Sequence, residues 1–114
     1  MNGRRTLAHP DVPDASVLVR IAERLKRELA AERVIVYGSV ARGDATPDSD
    51  IDLLVIAPAS EPAYLRMARA LAVTREMSRG LPLSPLVLTP QEVERRLARG
   101  DSFLRGVLEE GVAL

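Results

Sequence analysis

The sequence contains no cysteine, which excludes disulfides, thiolate metal sites and cysteine nucleophiles and fits a cytoplasmic setting. Net charge is also missing, since sixteen basic and sixteen acidic side chains cancel to +0 at pH 7. No overall field draws such a chain onto nucleic acid or an anionic membrane, and direct nucleic-acid binding is not expected. Lysine is represented only by Lys26 against fifteen arginines, a skew with no functional reading of its own. The single histidine, His9, sits beside Pro10 in a stretch without pattern, a poor place for metal or base duty. No apolar run approaches the roughly 20 residues that span a bilayer. The polar start Met1-Asn2-Gly3-Arg4-Arg5 is followed by no hydrophobic signal core, so no membrane association is expected.

What is present is an ordinary globular composition, 46% hydrophobic and 28% charged over 114 residues, which predicts one domain. Residues 1–13 carry two prolines and no periodicity and read as an irregular leader, with the domain running over 14–114. From Ser16 to Ala31, Leu18, Ile21, Ala22, Leu25 and Leu29 recur at helical spacing. Residues 34–37 and 50–56 read as strands, joined by a connection with room for a helical turn around Val40 to Gly43. Pro62 to Ser78 predicts a second long helix, on which Met67 and Met77 read as core filler. Leu81 to Leu88 predicts a third strand that Pro82 and Pro85 place at an edge or split at a bulge. Thr89-Pro90-Gln91-Glu92 reads as a capping box opening a helix that stops at Gly100. Asp101 or Ser102 then caps a last helix bearing Phe103, Leu104, Val107 and Leu108, with Gly111 and an apolar tail behind it. The fold class is therefore α/β in the broad sense (α+β), a small three-stranded sheet flanked by helices.

Alternation along the second strand puts Asp50, Asp52, Leu54 and Ile56 on one face and Ile51, Leu53 and Val55 on the other. Two carboxylates on an otherwise apolar strand repel each other unless a cation neutralises them, and magnesium, which favours hard oxygen ligands, is the natural candidate. The plainer alternative places both at an exposed strand start, bonded to loop amides. Gly38-Ser39 directly follows the first strand, where glycine permits close backbone approach and free N–H groups can cradle a phosphate. Ser39 alternatively caps the short helix. Two roles are equally open to Arg42, a phosphate clamp and a surface pair with Asp44 or Asp48.

The stretch Gly38-Ser39-Val40-Ala41-Arg42-Gly43 through Ser49-Asp50-Ile51-Asp52-Leu53-Leu54 resembles the minimal nucleotidyltransferases of the DNA polymerase beta superfamily. The resemblance is densest over 34–57, and element order agrees from about 16 to 110. It implies a mixed sheet on which Gly38 and Ser39 hold a nucleoside triphosphate, with Arg42 beside them, while Asp50 and Asp52 bind magnesium and serve catalysis. The implied reaction is attack by an acceptor hydroxyl on the α-phosphorus with release of pyrophosphate, AMP from ATP being the expected group. With no second domain for the acceptor, a partner protein or a second copy of the chain is expected to supply that site. The resemblance further implies pairing with a HEPN-type ribonuclease toxin and an antitoxin role. One departure stands out. Active members carry a third carboxylate on the following strand, whereas Ser84 or Pro85 occupies that place and Gly80 to Pro90 contains no Asp or Glu. Its loss leads to a second expectation, a binding module that neutralises its partner by complex formation.

Overall fold

The computed structural model describes residues 15–46 and 48–114; the irregular leader expected over 1–13 lies outside the described residues, as does Pro47. Helix α1 (Ala15–Leu29) forms where the apolar spacing predicts it and buries all five of its predicted core residues. It stops two residues earlier than predicted because Ala30 turns into the left-handed region at φ 56. Strand β1 (Arg33–Tyr37) leads straight into the short helix α2 (Gly38–Arg42), and strand β2 (Ile51–Ile56) follows the loop.

Helix α3 (Ala63–Val73) returns the chain so that β3 (Leu83–Leu88) lies parallel to β2, as a parallel pair requires a crossover. It is shorter than the predicted 62–78. Buried Thr74 donates its hydroxyl to the Ala70 carbonyl at 2.8 Å, a side-chain bond that competes with continuation of the helix, and the chain passes into turns. Met67 is exposed on α3 rather than core, whereas Met77 packs against the core as expected. Helix α4 (Pro90–Ala98) has the full capping box, with Thr89 Oγ1 accepting from Glu92 N–H and Glu92 accepting from Thr89 N–H. Helix α5 (Ser102–Glu110) is capped by Asp101, which accepts from Leu104 N–H at 2.9 Å.

The sheet has four strands rather than three, ordered β3-β2-β1-β4, because the apolar tail adds β4 (Val112–Ala113) antiparallel to β1. Gly111 makes this possible. A Cβ there would run into Ile35 Cγ2 and come within 2.6 Å of the Val107 carbonyl oxygen. β1 and β2 are antiparallel, so the sheet is mixed. Its proline-bearing strand β3 is an edge.

The two faces of the sheet build separate cores. Val34, Val36, Ile51, Leu53 and Val55 pack with Leu18, Ile21 and Leu25 of α1 and Ala70 of α3. Ile35, Leu54, Ile56 and Leu88 pack with Leu104 and Val107 of α5, flanked by Val93 and Leu97 of α4. Among the described residues no helix is long and apolar enough to cross a membrane.

Candidate functional site

At the end of β1 the backbone turns on Gly38, whose φ of 74 is open to glycine and strained for other residues. Space imposes the same choice, because a Cβ at Gly38 would sit 2.6 Å from Asp52 Oδ2. The Gly-Ser turn and the second aspartate are thus pressed together by the antiparallel pairing of Tyr37 with Asp52. Ser39 lies inside the first turn of α2; the residue at the cap position is Tyr37, and no side chain caps that helix. The capping alternative for Ser39 is therefore set aside.

Asp52 is half-buried on β2 and aligned on the Leu54–Ile56 face, as alternation requires. Asp50 precedes the strand and is exposed, so the expected strand start at 50 moves to Ile51, and of the two carboxylates only Asp52 is enclosed. The pair is still electrostatically coupled. Burial first, and then the charge of Asp50, raises the Asp52 pKa above the ordinary carboxylate value, with Arg42 partly offsetting them. Burial, followed by the Asp52 charge, likewise raises the Tyr37 phenol above its usual value.

These residues open onto a cavity of about 560 Å³. One wall is Gly38, Ser39, Ala41 and Arg42, Asp52 and Tyr37 stand beside it, and α5 contributes Ser102, Phe103, Gly106, Val107 and Glu110. Four of the five sequence-predicted site residues therefore converge, while Asp50 stays outside the cavity lining. Arg42 reaches the cavity and also pairs with Asp44 at 3.3 Å, Nε to Oδ2, with both side chains mostly exposed. Of its two expected roles the surface pair is the one formed, from a position on the cavity wall.

On the neighbouring strand, the Cα partner of Asp52 is Ser84, and Pro85 pairs with Leu53. Of the two positions the sequence offered for the expected third acid, Ser84 is the one beside Asp52. Among the described residues no group of three or more His, Cys, Asp or Glu side chains is arranged to hold a metal ion. Sequence reasoning missed the α5 wall. Phe103, expected as part of the last helix, meets Tyr37 edge-on, with ring centroids 5.8 Å apart and planes at 79°. The available signal was the recurrence of Phe103, Gly106, Val107 and Glu110 at helical spacing, with Leu104 turned wholly to the core and Val107 shared between core and cavity.

The chain has relatives among known proteins. The chain is 30% identical over 83 residues to a protein of Methanocaldococcus jannaschii named "putative protein adenylyltransferase", a match covering 73% of this chain and 77% of that one. A crystal structure described as a putative nucleotidyltransferase from Sulfolobus solfataricus aligns over 99% of this chain and 90% of its own, with 23% identity and a TM-score of 0.47. The nucleotidyltransferase domain family matches residues 18–114, which takes in every strand and the whole cavity lining. On that match the chain belongs to the nucleotidyltransferase domain family.

Proposed function

We propose that the protein is a magnesium-dependent nucleotidyltransferase that moves AMP from ATP to a hydroxyl on a partner protein. The observation that carries this reading is the convergence of Gly38, Ser39 and Asp52 on one cavity, with Gly38 held so close to Asp52 that only a glycine fits. The relative named as a protein adenylyltransferase supports the choice of an adenylyl group and a protein acceptor.

The donor set suits magnesium. Asp52 and Asp50 offer hard carboxylate oxygens, and the Asp52 anion, disfavoured first by burial and then by the Asp50 charge, is one that a cation would relieve. Two carboxylates leave the coordination to be completed by phosphate oxygens and water, the usual way this ion is held. When bound, magnesium offsets charge developing on the phosphate oxygens during in-line displacement. Backbone N–H groups of the Gly38-Ser39 turn and the Arg42 guanidinium are placed to hold the triphosphate, and the partner supplies the attacking hydroxyl. Its oxygen bonds to the α-phosphorus, the bond from that phosphorus to the bridging oxygen breaks, pyrophosphate leaves, and the hydroxyl proton passes to solvent. The family resemblance suggests a HEPN-type toxin as the partner, which makes this chain its antitoxin; a second copy of the chain is the alternative source of the acceptor site.

Ser84 beside Asp52 favours a second reading, a nucleotide-binding module that neutralises its partner by complex formation. The two separate when the protein, magnesium, ATP and the product of the adjacent reading frame are incubated and both chains are weighed intact. Transfer predicts one or more adenylyl groups on the partner. An unmodified partner in a stable complex, with inhibition unchanged in the Asp50→Asn, Asp52→Asn double variant, removes the enzymatic reading.

A further inference from the structure

Gly106 occupies the middle of α5, where glycine is among the poorest helix formers. Its backbone is not among those with positive φ, and a Cβ added there meets only Glu110 Oε2 at 3.8 Å, an ordinary contact. Neither conformation nor packing within the chain calls for glycine, in contrast to Gly38 and Gly111. Gly106 does face the cavity, between Phe103 three residues before it and Glu110 four residues after it, so the three share one side of the helix.

The cavity is also electrically divided. Arg42, the backbone of the Gly38-Ser39 turn and the neighbouring Asp52 form one wall, and the α5 wall is uncharged from Ser102 to Val107 with Glu110 at its end. The first wall carries the cavity's guanidinium and, with a cation on Asp52, would suit phosphates, which leaves the largely uncharged α5 wall to the nucleoside. The volume suits a ligand of nucleotide size, since small-molecule pockets run from roughly 300 to 1,000 Å³. Phe103 is about half exposed at this wall even while it touches Tyr37, leaving ring surface for a planar group.

We propose that this face of α5 is the nucleoside subsite of the bound triphosphate, with the missing side chain at Gly106 admitting the nucleoside against the helix backbone. Phe103 flanks the base, and Glu110 accepts a hydrogen bond from a sugar hydroxyl. This rests on the nucleotidyl-transfer reading above and deepens it by placing the nucleoside.

The test titrates ATP and, separately, inorganic tripolyphosphate into the magnesium-loaded wild type, Gly106→Ala and Gly106→Leu, with thermal melts of each. Wild type is expected to bind ATP more tightly than tripolyphosphate. Gly106→Ala should raise Tm by roughly 4 °C through helix propensity while weakening ATP binding, opposite signs that a purely structural role does not produce. Filling the subsite with Gly106→Leu should weaken ATP about tenfold, the scale of a modest steric conflict, and leave tripolyphosphate unchanged; Gly106→Ala carries the same comparison if the larger substitution fails to fold. Glu110→Gln should narrow the preference for ATP over 2′,3′-dideoxy-ATP. ATP binding by Gly106→Leu at wild-type strength overturns the subsite, as does equal binding of ATP and tripolyphosphate by wild type. Failure of wild type to bind either ligand overturns the underlying transferase reading as well.

Discussion

The two faces of the sheet are made by the same strands and finished differently. On the face of Ile51, Leu53 and Val55 every position is apolar and buried, and α1 and α3 cover it. On the face of Asp52, Leu54 and Ile56 only the latter two are sealed by the α4–α5 pair, and Asp52 opens onto the cavity. Alternation along a single strand thus gives a closed face and an open one: the odd positions of β2 are all sealed, and the first even position lines the cavity.

The largest break in that comparison should come from the closed face. Leu53 is fully buried, and Leu53→Ala is expected to cost about 3 kcal/mol of unfolding free energy, for lost transfer energy and the cavity left behind. Denaturant unfolding measures it. A substitution of similar size on the open cavity wall, Phe103→Ala, should cost well under half as much, because Phe103 remains about half exposed. Equal costs would show that α5 is sealed more tightly than the cavity implies.

Glu92 ties the two sides together. It caps α4 and pairs with Arg66 of α3 at 2.7 Å, both side chains largely covered. Glu92→Ala should cost about 2 kcal/mol, combining a lost cap with an uncompensated arginine. The Arg66 hydrogen bond first, and then the Thr89 amide, lowers the Glu92 pKa below the ordinary carboxylate value. A lowered carboxyl pKa stabilises the fold above the unfolded value, and that contribution disappears as pH falls through the folded one. Stability profiles of wild type and Glu92→Gln should therefore differ at neutral pH and draw together in the acid range below about 4.5.

The open face should respond in the opposite sense. Asp52→Asn removes an anion that burial and Asp50 disfavour, so the metal-free variant should unfold at slightly higher denaturant than wild type. The gain should stay under about 1 kcal/mol because solvent screens a half-exposed group. The same substitution should abolish adenylyl transfer, a loss of function with a gain in stability that no closed-face residue can show. The smallest effect should come from Ala30, where φ 56 strains an alanine. Ala30→Gly relieves that strain but loosens the unfolded chain, for a net gain of about 0.5 kcal/mol in thermal or chemical unfolding.

What could be read in advance follows the range of each signal. Leu18 to Leu29, the alternation of β2 and the Thr89–Glu92 box are local patterns, and each appears where its spacing predicts. Gly38 and Asp52 were legible as a pair through a motif, although their near-contact is a product of the β1–β2 register. The choice of Ser84 over Pro85 as the third position depends on the offset of a parallel pair, which neither strand encodes alone. β4 has two residues, too few for any period, and exists because Gly111 lets the chain pass against Ile35. The α5 wall was hidden for a similar reason: the helix was evident, but its docking angle on β1 decides that Phe103 meets the cavity and Leu104 the core.

Pro85 has a consequence beyond the site. Pro82 and Leu88 turn their carbonyls to β2, accepting from Ile51 N–H and Ala57 N–H, so the odd residues of β3 present their backbone outward. Outward-facing Pro85 has no N–H to offer, and the outward carbonyl of Val87 accepts from Arg66 at 3.3 Å. The opposite border of the sheet is only the two residues of β4. The β3 border is a poor template for a foreign strand, which guards that edge against sheet-to-sheet aggregation. A protein that binds here must be gripped by side chains on helices and loops, and its recognition can be altered residue by residue without disturbing the backbone pairing of the domain.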